Sequence, residues 1–373
     1  MEAVYSGDMM TLNMGPQHPS THGVLRLELK TDGEIVADAI PHIGYLHRCF
    51  EKHAENIDYP GVIPFVDRMD YCAAMNMELG YVLTVEKLMG IQVNNRVRCI
   101  RIVMAELGRI ASHLIAAGTY GNDIGSFTPF MWCFRDRETI LDLFEETCGA
   151  RLLYNYIWIG GLMHDLKPGF EKKVLDFIDY FEPQVDNLNR LLSDNYIFVR
   201  RTANVGILPP ELAISYGVTG PNLRGSGVDF DVRRDEPYLG YEDYDFEVAV
   251  GKGDYGPLGS CWDRYIVRIR EVKESCKIIR QAVAKLTPGD VRESVPKRVR
   301  PPAGEVYMRS ECPRGELGYY IVSDGSPKPY RVKVKSPCFT AMSVFREISR
   351  GAMIADIVAI LGSFDIVLGE IDR

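Results

Sequence analysis

From Asp67 onward, apolar residues recur at three- and four-residue spacing in five long stretches. This periodicity predicts helices over about 69–89, 96–117, 136–156, 170–193 and 261–286. The second is typical, with Ile100, Ile102, Val103, Leu107, Ile110 and Leu114 along one side. The first 66 residues read differently: β-like runs at 11–14, 24–29 and 35–37 surround the loop Gly15-Pro16-Gln17-His18-Pro19-Ser20-Thr21-His22-Gly23. Two prolines and two glycines in those nine positions deny the loop a helix. Thr31-Asp32-Gly33-Glu34 reads as a hairpin turn, and the Gly- and Tyr-rich stretch 217–260 as loops with short strands. The tail returns to strands at 304–310, 315–322 and 330–334, with Ser323-Asp324-Gly325-Ser326 as a turn, before a last helix over about 343–361. The expected fold is α+β and predominantly α: a long-helix bundle core with small antiparallel sheets from the N- and C-terminal regions. The expected divisions are 1–66, 67–290 with an irregular insert at about 200–260, and 291–373.

Composition narrows the function classes. The 373 residues carry a net charge of −8, and that acid balance argues against nucleic-acid binding, which needs clustered Lys and Arg. Nine cysteines lie no closer than 15 positions apart, so no CxxC pair signals a zinc site or a cysteine-bound cluster. Their odd number, with no apolar leader behind Met1-Glu2-Ala3, leads us to expect reduced thiols in a cytoplasmic compartment. No stretch approaches the roughly 20 apolar residues of a membrane helix, so membrane association is expected through a partner.

Candidate chemistry is sparse. His18 and His22 have metal-ligand spacing for a helix, but their loop can only present them to a pocket or hold them by structural hydrogen bonds. Asp70, in Arg68-Met69-Asp70-Tyr71-Cys72, is most simply a helix cap, and Asp123 a turn residue, although an acid there could also hold a histidine charged. Arg135-Asp136-Arg137-Glu138 reads as a solvated or ion-paired helix start. No dinucleotide or P-loop fingerprint, nucleophile elbow or zinc-protease motif occurs.

The run from Thr11 to Arg26, which contains the histidine loop, resembles the opening signature of the D-subunit family of respiratory complex I, NADH:quinone oxidoreductase. Gly44-Tyr45-Leu46-His47-Arg48, Arg68-Met69-Asp70-Tyr71, Glu106 through Leu114, Thr128-Pro129-Phe130 and Gly369-Glu370-Ile371-Asp372-Arg373 fit the same family, nearly end to end. That family is similar to the large subunit of nickel-iron hydrogenases, whose metal is held by two CxxC pairs. Those four places fall here on about Asp70, Ala73, Val367 and Glu370. Thiolates cannot be replaced by Val and Ala, so no nickel-iron centre is expected.

The resemblance implies a quinone-reduction site in the vacated cavity, shared with the neighbouring B subunit, which holds the terminal 4Fe-4S cluster. His22 and Tyr71 match the family's quinone-headgroup ligands, Asp123 the carboxylate paired with that histidine, and Arg48 and Arg68 positions near the cluster. It further implies a proton-translocating complex with the B, C and I subunits and the membrane-arm H subunit as partners, on the cytoplasmic side of the bacterial inner membrane. No cofactor is expected on this chain alone. A non-catalytic scaffold between the peripheral and membrane arms, or the same chain in a ferredoxin-linked quinone reductase, are the alternative readings. Three departures stand out. Leu153 occupies a position where many members carry histidine, which points to a lower-potential cluster without proton linkage and a low-potential quinone such as menaquinone. An amphipathic segment usual after Leu286 is missing, so that the run from Val295 to Pro302 joins almost directly to Gly304. Cys49 replaces a small residue after Arg48.

Overall fold

The computed structural model describes residues 9–17 and 23–373; His18 and His22 therefore lie outside the described residues. Strands β1 (Met10–Met14), β2 (Arg26–Asp32) and β3 (Ile35–His42) form an antiparallel meander in the order β1-β2-β3. Two short helices follow, α1 (Phe50–Ala54) and α2 (Tyr59–Val66), the latter capped by Asp58, whose carboxylate accepts from the Gly61 N–H at 3.0 Å. The long helices are α3 (Ala74–Met89), α4 (Asn95–Asp123) and α5 (Phe127–Cys148). After a two-strand ribbon, β4 (Ile157–Trp158) and β5 (Gly161–Leu162), comes α6 (Phe170–Leu188), which continues as a π-turn to Ser193.

The stretch expected to hold short strands is instead helical where it is regular. After α7 (Tyr196–Thr202) and α8 (Pro210–Ser215), residues 217–260 contain α9 (Gly220–Arg224), α10 (Val232–Asp235) and a 3-10 turn (Tyr241–Asp243), and no strand among the described residues. Prolines at the first turns of α8 and α9 fit a helix start, where a missing N–H costs nothing. Helix α11 (Cys261–Ala284) opens on a capping box between Ser260 and Asp263. A second meander, β6 (Gly304–Cys312), β7 (Gly315–Ser323) and β8 (Arg331–Lys335), precedes α12 (Pro337–Ser349), α13 (Ile354–Phe364) and α14 (Leu368–Asp372). The single helix expected at 343–361 is thus two, broken where Gly351 takes a φ of 78°. Helix α5 also lies earlier than expected. It stops at Gly149, φ 81°, whose N–H returns to Glu145 O at 2.8 Å, and the residues after it form a loop.

Helix α4 packs against α3, α5, α11 and α13, while α3 also lies on β6 and β7. The apolar stripe read from the sequence is buried: Ile100, Val103, Leu107, Ile110 and Leu114 contribute roughly 1.5–3 kcal/mol each. The polar side of α4 is buried as well. Glu106 receives Arg109, Arg233, Tyr241 and Ser275 at 2.6–3.2 Å, and Glu271 of α11 receives His113 and Arg224. Burial pushes both carboxyls up, but the arginines overcome it and hold each at about 2. A helix with two buried faces forces this pairing, since an unpaired interior charge would cost several kcal/mol.

Candidate functional site

The turn between α2 and α3, residues 67–73, carries the family's signature residues. Met69 and Asp70 are buried, whereas Tyr71 is 38% exposed and points out of the same turn. Asp70 is not a helix cap. Its Oδ1 accepts the Cys72 N–H at 3.1 Å, and its Oδ2 pairs with Arg314 at 2.5 Å. Arg314, at the tip of the β6–β7 hairpin, reaches into the interior and also binds Ser112 Oγ at 2.9 Å, Asp365 Oδ1 at 3.2 Å and Asp365 O at 2.8 Å. Its planar fork suits four acceptor atoms on three residues at once.

The C-terminal segment seals this turn. At Gly369 a Cβ would stand 2.7 Å from Met69 O, so only glycine lets the two backbones approach so closely. The next residue, Glu370, is fully buried; burial, and then the nearby Asp70 charge, raise it to about 7 against the opposing pull of Cys338, Arg314 and Ser336. Asp70 and Glu370, two of the four places at which the sequence resemblance put hydrogenase cysteines, therefore face one electrostatic environment. Ala73 and Val367 are buried too, and the Val367 N–H meets Cys338 Sγ at 3.5 Å. The Asp70 carboxylate is committed to an arginine and a backbone amide, which makes this a packed ionic core.

Arg48 and Arg68 stand on the same surface. Arg48 donates to Arg68 O, and Arg68 to Pro64 O at 2.5 Å; both are exposed, and among the described residues neither forms an ion pair. Burial raises the Tyr71 phenol above its usual value, as do Cys72 and Asp70, while Arg314 and Arg48 pull it back. It is therefore a protonated donor at neutral pH. Asp123 ends α4, half-buried, with its carboxylate beside Gly362 of α13. Segment 362–372 thus touches Asp123 at one end and the Tyr71 turn at the other. Gly23, next in the chain after His22, lies against Leu368 in this segment.

Sequence reasoning missed Arg314 and Asp365. Their sequence signal is faint, an arginine after Pro313 in a tight hairpin and an aspartate before the closing signature, and it gains meaning only when chain separations of 244 and 51 residues are closed. The run 135–138 lies inside α5 rather than at its start, with Asp136 buried between Arg135 at 2.8 Å and Tyr180 at 3.0 Å. Hollows of about 540 Å³ and 550 Å³ lie elsewhere, beside Trp262 and between α5 and α6.

Comparison with known proteins bears on this geometry. The family described as the respiratory-chain NADH dehydrogenase 49 Kd subunit matches residues 123–301 and 293–373. The two matched stretches overlap at 293–301. The D subunit of NADH-quinone oxidoreductase from Chlorobium luteolum is 56% identical over 368 residues, 98% of this chain and 93% of that protein. Its counterpart from Prosthecochloris aestuarii is 55% identical over 377 residues, covering 100% and 94%, and that from Chlorobaculum parvum 56% over 368, covering 98% and 92%. Matches of this identity and coverage define the class of the chain, a subunit of a multisubunit oxidoreductase. The chain belongs to the D-subunit family of NADH-quinone oxidoreductase, and so to a multisubunit oxidoreductase of electron transport. No helix among the described residues is long and apolar enough to cross a membrane.

Proposed function

We propose that this chain forms, with the B subunit of the complex, the site where quinone is reduced by electrons from that neighbour's terminal 4Fe-4S cluster. The observation that carries the reading is the Tyr71 turn: a protonated, part-exposed phenol above a buried Asp70–Arg314 pair, flanked by two exposed guanidinium groups that form no ion pair among the described residues. Electrons arriving on a quinone place negative charge on its oxygens, and a fixed O–H donor stabilises that charge and can pass a proton to it. His22 is the second donor in this reading, held charged by Asp123. Arg48 and Arg68 face the cluster, where a cation favours its reduced state. A site made between two chains is open on one side in either chain alone, which accounts for a donor at the surface rather than in a closed cavity. The complex translocates protons and takes its electrons from NADH, with the C, I and H subunits adjoining and the chain lying peripherally on the cytoplasmic side of the membrane.

In the assembled complex, Tyr71→Phe removes one hydroxyl and is expected to lower quinone reduction roughly 10²-fold. NADH oxidation with an artificial acceptor that bypasses the quinone site should stay at the parent rate. If quinone reduction also persists, the assignment of Tyr71 is wrong.

A further inference from the structure

Beside the Tyr71 turn lies a second acidic pair that the mechanism above does not use. Asp67, the residue after α2, and Glu78, on α3, are both fully buried. Each spends one oxygen on the loop that follows α5. Asp67 Oδ2 accepts the Asn155 N–H at 3.0 Å, and Glu78 Oε2 accepts the N–H groups of Tyr156 at 2.9 Å and Ile157 at 2.6 Å. The remaining oxygens, Asp67 Oδ1 and Glu78 Oε1, have no donor among the other described residues. Two turns along the same face of α3, Glu86 binds the same segment through the Gly160 N–H, but there Arg101 neutralises it at 2.7 Å. Glu78 has no such cation among the described residues.

Two carboxylates side by side without a cation are tolerated in an interior only if a proton lies between them. The loop they hold is also unfavourable by itself: Leu153 and Asn155 have φ of 58° and 47°, a region that costs a non-glycine residue of order 1 kcal/mol and persists only when neighbours enforce it. We propose that Asp67 and Glu78 share one proton and that this pair is a latch, positioning loop 153–157 against the turn that bears Arg68 and Tyr71. Glu78 carries the proton and Asp67 accepts it. The groups facing the pair are Arg68 on its own turn, Cys148 at the end of α5, Tyr154 and Tyr156 in the loop, and Tyr319 of β7. Arg68 is the one cation among them and is itself exposed, so the proton supplies the neutralisation that the interior needs.

The latch has a defined pH signature. Burial raises Asp67 to about 6 and Glu78 well above its usual value, so the closed pair binds a proton that two solvated carboxylates would not. The closed loop is therefore favoured at low pH and loses stability as pH rises, by about tenfold per pH unit above about 6 until the last proton leaves. Hydrogen exchange of the Asn155, Tyr156 and Ile157 amides in the full chain, corrected for the intrinsic rate, reads this slope. In Glu78→Gln the amide donates to Asp67 while its oxygen keeps both loop amides, so protection should remain and its slope become flat. Asp67→Asn provides the same test from the other side and serves if Glu78→Gln does not fold. Glu78→Ala, which removes the acceptor, should lose protection at every pH. A flat profile in the parent protein, or an unchanged slope in both amide variants, would overturn the latch. What the latch positions rests on the quinone-site reading, but its proton does not: a failed Tyr71→Phe test leaves the exchange slope untouched.

Discussion

Arg314 is the residue on which the site's interior depends most. It is the shared partner of Asp70 and Asp365, and all three are buried. Replacing it with leucine would leave two interior carboxylates with one cation fewer, at a cost of roughly 3–5 kcal/mol, because an orphaned charge loses its partner without regaining water. Thermal unfolding of Arg314→Leu should shift down accordingly, and Arg314→Lys should recover only part of the loss, since an ammonium cannot reproduce the fork. A shift no larger than that of a surface substitution would contradict this. Titration of the interior has two signs. Glu106 and Glu271, held at about 2, contribute stability that is present above the usual carboxylate range and lost as pH falls toward 2. Glu370 and Glu311, both raised to about 7, act oppositely: their contribution is full below about 4.5 and lost as pH rises through 7. Stability measured by denaturant should therefore be greatest at mildly acidic pH, and Glu370→Gln should flatten the alkaline side.

Among the elements, what could be read from the sequence was what local chemistry dictates. The strands at both ends and helices α4, α6 and α11 follow from period and caps: Asn94 accepts the Val97 N–H, and Ser260 with Asp263 forms a box. Helix α5 was misplaced because apolar residues continue past Gly149 through Leu152, Leu153 and Tyr154, so the pattern runs on where the backbone does not. Those residues extend into the loop gripped by Asp67 and Glu78, a pairing across 11 positions and two elements that no period announces. Leu153 sits in this loop, part-buried. Leucine cannot titrate, and between about pH 6 and the loss of the shared proton the charge on the Asp67–Glu78 pair is constant. The potential of the 4Fe-4S cluster proposed for the neighbouring B subunit should therefore be nearly independent of pH in that window. Leu153→His should introduce a slope, and a strong slope already present in the parent complex would contradict this account.

At the scale of the molecule, the α+β class and the ends of the chain were legible, while the site's interior was not. Tyr71, Arg48, Arg68 and Asp123 were named only through family resemblance, for spacing alone favoured a cap at Asp70 and a turn at Asp123. The structure brings Tyr71, Arg48 and Arg68 to one surface and leaves Asp123 at the far end of segment 362–372, in contact with Gly362. The positions that the hydrogenase resemblance singled out become intelligible only here, as part of an ionic core tying turn 67–73, the β6–β7 hairpin and the C-terminal helix together across the whole chain. That core gives a rigid floor beneath a donor at an open face. The most direct test is a structure of the assembled complex with quinone bound. The account predicts the Tyr71 hydroxyl within hydrogen-bond distance of a quinone oxygen, roughly 3 Å, with the neighbour's cluster beyond the headgroup on the side of Arg48 and Arg68. A headgroup bound away from Tyr71, or a Tyr71 covered by protein alone, would contradict it.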